Sequence, residues 1–191
     1  RTVATLLAMR AARGFSLAEL LVATAVAAIL LSIALPDLGA LLRAQQLRAA
    51  SNDLFGAIGL ARAQAIARNA RVRVLPRDAA GTDWTRGWTV FVDRDEDGAP
   101  GPGDDILAVH EALPAGVTTA FAFTSPAAPY YIAYNGAGRS CGDTGASARW
   151  GTLSLFHGGA VRRIKINMLG RARACNPERD AHCDGAANPT D

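Results

Sequence analysis

The sequence predicts an α+β protein, in which a long N-terminal helix, apolar in its first half and amphipathic in its second, packs on a mostly antiparallel β-sheet head. Three observations predict it. Residues 15–35 form an apolar run broken only by Ser16, Glu19, Thr24 and Ser32, apolar residues then recur at spacings of three and four as far as Ile66, and from Arg71 the period drops to two. The expected organisation is a leader at 1–14, the helix at 15–69 with its transmembrane part at 15–35, and a β-rich head with a C-terminal tail at 70–191.

At about 1.5 Å per residue, the apolar run covers roughly 30 Å, the thickness of a bilayer core. Arg10 and Arg13 precede it while Pro36 and Asp37 follow, so the short N-terminus is expected to stay cytoplasmic and the bulk of the chain to be exported. A secretory signal fits poorly. Its cleavage site would follow the apolar region, whereas Arg13-Gly14 stands before it. Glu19 is the anomaly, because a carboxylate among apolar residues in a membrane needs a partner.

Beyond Pro36, where a kink is expected, Leu38, Leu41, Leu42, Leu47, Leu54, Ile58 and Ile66 make the predicted apolar stripe, with Arg43, Arg48, Arg62 and Arg68 between them. Gly56 and Gly59 are expected to let a sheet approach closely, and Asn69 to mark the helix end. Strands are predicted at 71–74, 87–92, 106–109, 117–123 and 130–134. Two further strands, at 151–156 and 160–168, flank His157-Gly158-Gly159, a glycine-rich hairpin turn.

Net charge is +3, and Lys165 is the only lysine among 20 basic residues. Arginine favours planar, bidentate contact with carboxylate or phosphate. The three cysteines, Cys141, Cys175 and Cys183, lie in the last third of the chain. Closure of the tail by Cys175 and Cys183 is expected, with Cys141–Cys175 the competing pairing. No nucleophile with a positioned base is recognisable, so no enzyme and no cofactor are expected. Asp93, Asp95, Asp97 and Asp104 approximate a calcium loop, but Pro100 and Pro102 interrupt it and no helix follows, which makes a solvated turn the expectation and metal none. His157, His182 and Cys183 do not make a zinc site.

A basic leader ending in Gly14, then Phe15, Glu19 within an apolar helix, and Pro36 at the end of the run together resemble the N-terminus of type IV prepilins and type II secretion pseudopilins. The resemblance implies cleavage between Gly14 and Phe15 by a prepilin peptidase, N-methylation of Phe15, and assembly through Glu19, whose carboxylate would pair with the terminal amine of a neighbouring pilin. Two charges that are each unfavourable in lipid then neutralise one another only in the correct register. It also implies a single-pass inner-membrane protein with a periplasmic head that moves to the pilus on assembly. The head, through GWTVFVD at 87–93, the turn RDEDG after it and VRRIKINMLGRARAC at 161–175, is similar to the FimT-like minor pilins and the H-type pseudopilins.

That last segment is the sharpest functional signal. Residues 160–175 hold five positive charges and no negative one, and a strand there puts Arg163, Lys165 and Asn167 on one face. In FimT-like pilins of natural transformation a GRxR motif binds DNA, and Gly170-Arg171-Ala172-Arg173 matches it. The resemblance therefore implies DNA contact by Gly170, Arg171 and Arg173, and the five cations without an acid add Arg163 and Lys165 as supporting contacts. No Phe, Tyr or Trp lies between 157 and 191, so phosphate contact rather than base stacking is expected. The alternative is an H-type pseudopilin, a structural subunit of a secretion pseudopilus that needs no DNA affinity.

Overall fold

The computed structural model describes residues 15–125, 127–186 and 188, without the side chains of 33–37. The leader, including Gly14, lies outside the described residues. Among the described residues one α-helix, α1 (Leu17–Arg68), is followed by eight strands: β1 (Val72–Pro76), β2 (Trp88–Val92), β3 (Asp105–His110), β4 (Thr118–Phe123), β5 (Ile132–Tyr134), β6 (Gly151–His157), β7 (Ala160–Ile166) and β8 (Ala172–Cys175), with a 3-10 turn at Trp84–Arg86 between β1 and β2. The predicted α+β class holds.

The chain divides into two compact units between Ala40 and Leu41, and α1 crosses the division. In the first unit α1 is capped by Ser16, whose Oγ accepts from the Glu19 amide at 3.2 Å. This satisfies one of the orphan amides of the first turn, and the Ser16-x-x-Glu19 spacing is that of a capping box. Leu21, Val22, Ile29 and Leu30 are exposed. Among the described residues no helix is long and apolar enough to cross a membrane; residues 33–37, where the predicted run ends, have no described side chains. The helix assignment continues through Pro36.

In the second unit α1 buries Leu47, Ala50, Leu54, Ala57, Ile58, Ala61 and Ala65, a stripe at spacings of three and four. The sequence expectation is corrected here. Leu41, Leu42 and Ile66 are more than half exposed, and a Cβ on Gly56 or Gly59 would meet nothing within 4 Å. Alanines, not glycines, let the sheets approach. Asn69 ends the helix at a φ of +49°, where the Ala70 amide donates back to the Ala65 carbonyl at 3.2 Å, a left-handed cap that asparagine tolerates.

The strands form two four-stranded sheets, ordered β3-β2-β1-β5 and β4-β6-β7-β8, and every pairing is antiparallel. The stripe of α1 shares one core with Val72, Val74, Trp84, Trp88 and Val90 from the first sheet's side, and with Leu153, Leu155, Ile164 and Ile166 from the second. Gly158 and Gly159, both at positive φ, link β6 to β7 with His157 opposite Ala160. Positive φ at both central residues matches the twist of the flanking strands. Cys141 is a buried free thiol beside Tyr131 and Ala133.

Candidate nucleic-acid interface

β7 and β8 are joined by a turn that sets the basic residues. β7 stops at Ile166, two residues short of the strand expected over 160–168, and after a reversal Ala172 of β8 pairs with it. The Asn167 carboxamide oxygen accepts from the amides of Leu169 and Arg171, at 3.1 and 2.9 Å, and Gly170 closes the turn at a φ of +77°. A Cβ on Gly170 would lie 2.5 Å from the Gly138 carbonyl oxygen. Its glycine is thus a conformational requirement, and it is buried against loop backbone rather than offered to a ligand. The turn returns the chain with Arg171 and Arg173, two residues apart, on one face.

That face is the side of the second sheet away from Leu153, Leu155 and Ile164. Antiparallel register lines up Ala122, Thr152, Lys165 and Arg173 across the four strands. The neighbouring row contains Thr124, whose amide donates to the Trp150 carbonyl at 2.9 Å, and Asn167, whose amide donates to the Arg171 carbonyl at 3.1 Å. Trp150, Thr152, Lys165, Asn167, Arg171 and Arg173 all line one open groove of about 680 Å³. Arg171 is exposed and has no carboxylate partner among the described residues.

The C-terminal tail covers the remainder of the face. Cys175 and Cys183 form a disulfide with their Cα atoms 5.8 Å apart. Arg163, only 7% exposed, donates from Nη1 to the Cys183 carbonyl and from Nη2 to the Ala186 carbonyl, the latter at 2.6 Å. Its guanidinium is committed to holding the tail, which corrects its expected place among the DNA contacts. Lys165 pairs with Asp184, and Arg173 pairs with Asp180 at 2.5 Å while donating to the His182 carbonyl at 2.7 Å. The Lys165 ammonium holds the Asp184 carboxyl below the usual range. The Asp180 carboxyl is lowered first by the His182 amide and then by Arg173. Residues 160–175 carry no acid, but the tail supplies acids in space.

A second cationic recess lies near the start of the tail, where Arg48 of α1, Arg162 of β7 and Arg179 line one hollow. Burial, then repulsion from Arg48 and Arg179, pulls the Arg162 guanidinium below its ordinary pKa. Sequence reasoning missed this cluster and Trp150 alike. The three arginines are scattered over more than a hundred positions, whereas Trp150 could have been noticed as the residue just before a predicted strand.

The acidic turn has a structural role. Asp93 is buried, accepting from Arg73 Nε at 2.6 Å with Arg71 Nε 3.4 Å away, and Arg73 also pairs with Asp143 at 2.9 Å. Asp93, Asp95 and Asp97 bring carboxylate oxygens within 4.8 Å of one another, but two guanidiniums already balance the innermost one. At the other end of the chain Phe15 and Glu19 are exposed, and among the described residues Glu19 has no cation within ion-pair distance.

Residues 50–170 match the family described as type II transport protein GspH, and residues 9–35 match the prokaryotic N-terminal methylation motif. The chain belongs to the GspH family. As a GspH-family protein it is type IV pilin-like, a minor pilin or pseudopilin. Its fold is that of the type IV minor pilin FimU of Pseudomonas aeruginosa, with 17% identity and a TM-score of 0.52 over 70% of this chain and 91% of that one. The minor pseudopilin EpsH from the type 2 secretion system of Vibrio cholerae gives 18% identity and a TM-score of 0.50, over 69% of this chain and 98% of that one. No curated protein matches the chain.

Proposed function

We propose that this GspH-family chain is a minor type IV pilin that joins a filament and binds DNA without sequence preference for uptake. The observation that carries the reading is Arg171, an exposed guanidinium without a carboxylate partner among the described residues, beside Lys165 and Arg173 on one groove. Cations on one strand face engage successive phosphates and release counterions, giving affinity that falls steeply with salt. In this reading Lys165, Arg171 and Arg173 touch phosphate, Gly170 makes the turn that presents them, and Arg163 anchors the tail.

Before assembly, a prepilin peptidase cleaves between Gly14 and Phe15 and Phe15 is methylated. The helix at 15–35 holds the chain in the inner membrane with the head in the periplasm, and Glu19 pairs with the terminal amine of a neighbouring pilin. The methylation motif at 9–35 supports this part. The family description, type II transport, favours a second reading: a pseudopilus subunit with no DNA affinity.

The test uses the full chain in detergent, titrated with fluorescent duplex DNA across a series of salt concentrations. Each lost phosphate contact lowers the salt slope by about one unit. The double change Arg171→Gln with Arg173→Gln is therefore expected to weaken binding alike on unrelated sequences. If the unaltered chain shows no salt-dependent binding, and removal of the gene impairs protein secretion, the pseudopilus reading replaces this one.

A further inference from the structure

Three tryptophans occur in the chain, and two are where a large apolar ring belongs: Trp84 is fully buried and Trp88 is 2% exposed. Trp150 is 44% exposed. Its position is nonetheless fixed. Its carbonyl accepts from the Thr124 amide at 2.9 Å and its amide donates to Thr124 Oγ1 at 3.3 Å. The preceding residue, Arg149, is buried, donates to the Ser125 carbonyl at 2.8 Å and lies 3.9 Å over the Tyr131 ring. A half-exposed indole is thus mounted on a rigid strand start, on the same groove as Lys165, Arg171 and Arg173.

We infer that Trp150 is a stacking platform for an unpaired base, and that the groove takes single-stranded nucleic acid in preference to duplex. The inference rests on the DNA-binding reading above and narrows its ligand. An indole beside guanidinium groups fits a flexible strand, whose phosphates follow the cations while a base lies on the ring. Thr152 and Ala122 next to Trp150 are small, leaving room over the sheet for a planar group. A duplex keeps its bases paired and stacked on one another, so it meets only the cations unless a base is extruded against its pairing and stacking. Stacking is indifferent to base identity, which agrees with binding without sequence preference. The charge at the groove also suits a polyanion: Lys165 is paired with Asp184 and Arg173 with Asp180, and Arg171 is left as the excess cation.

The experiment compares oligo-dT with a duplex of equal length on the full chain in detergent, for the parent, Trp150→Ala, Trp150→Phe and Arg171→Gln. Loss of one stacked base lowers affinity roughly tenfold. Trp150→Ala is therefore expected to lose about that factor for oligo-dT and to keep its duplex affinity, Trp150→Phe to regain most of the loss, and Arg171→Gln to weaken both ligands. Oligo-dT is expected to quench the parent's tryptophan fluorescence, and Trp150→Ala to abolish the quenching, since the other two rings are buried. If the parent binds duplex and single strand equally and Trp150→Ala changes neither, the stacking role is wrong while the phosphate reading stands. If Trp150→Ala leaves both affinities intact but lowers recovery in filaments, Trp150 is a subunit contact instead. If the parent binds neither ligand, both readings fall.

Discussion

Gly170 and Arg163 were both grouped with the phosphate contacts by motif and strand periodicity, and the structure gives each a different task. Gly170 sits at a φ of +77° with the Gly138 carbonyl oxygen where a Cβ would go. Gly170→Ala is therefore expected to destabilise the fold by about 1 to 3 kcal/mol, read as a lowered denaturant midpoint with an unchanged slope. Arg163→Gln removes the fork that holds the Cys183 and Ala186 carbonyls. It is expected to raise amide exchange across residues 183–186 while leaving the salt slope of DNA binding unaltered, and an unchanged exchange pattern would refute the anchor. No sequence argument could separate Arg163 from Lys165. They occupy the same face of one strand, and what distinguishes them is how the tail meets each: it buries Arg163 beneath the Cys183 and Ala186 carbonyls, whereas it offers Lys165 the exposed carboxylate of Asp184.

At the scale of elements, the tail is a strap of opposite charge over the cationic face. Asp180 and Asp184 both titrate below the ordinary carboxylate value of 3.8. Groups depressed in the folded state add stability that is fully present above their unfolded value and lost as pH falls through the folded one. Tail docking is therefore expected to be independent of pH near neutrality and to loosen only below 3.8, seen as selective amide exchange in residues 180–186. Reduction of Cys175–Cys183 removes a loop constraint nominally worth about 2 to 3 kcal/mol for so short a closure, and should free the tail at neutral pH. The strands were legible where chemistry is local: the Gly158-Gly159 turn and the period-two segments need no distant partner. β8 was not legible, since a four-residue strand of two alanines, Arg173 and Cys175 is too short to show an apolar period and exists because β7 pairs with it. The buried face of α1 was half legible. Leucines advertise a core face, whereas Ala50, Ala57, Ala61 and Ala65 reveal theirs only once the sheets are packed against them.

For the whole molecule, class and architecture followed from the switch between helical and strand periods. Glu19→Ala is expected to leave the protein in the membrane fraction but to reduce its recovery in filaments, because the anchor becomes more apolar while the register pair is lost. Normal recovery would remove that role from Glu19 and leave the residue only its place in the helix cap. Mass spectrometry of the mature chain is expected to find Phe15 first and methylated; a terminus beyond residue 35 would contradict the proposed processing. The remaining thiol bears on whether copies of the chain can be cross-linked. Cys141 is 1% exposed, and burial pushes its thiol pKa up, so little thiolate is present and its sulfur cannot reach another copy. The only other cysteines are bonded to each other. In the oxidising periplasm where we propose the head lies, no disulfide is therefore expected to join one copy to the next, and the contacts between subunits of the proposed filament would be non-covalent.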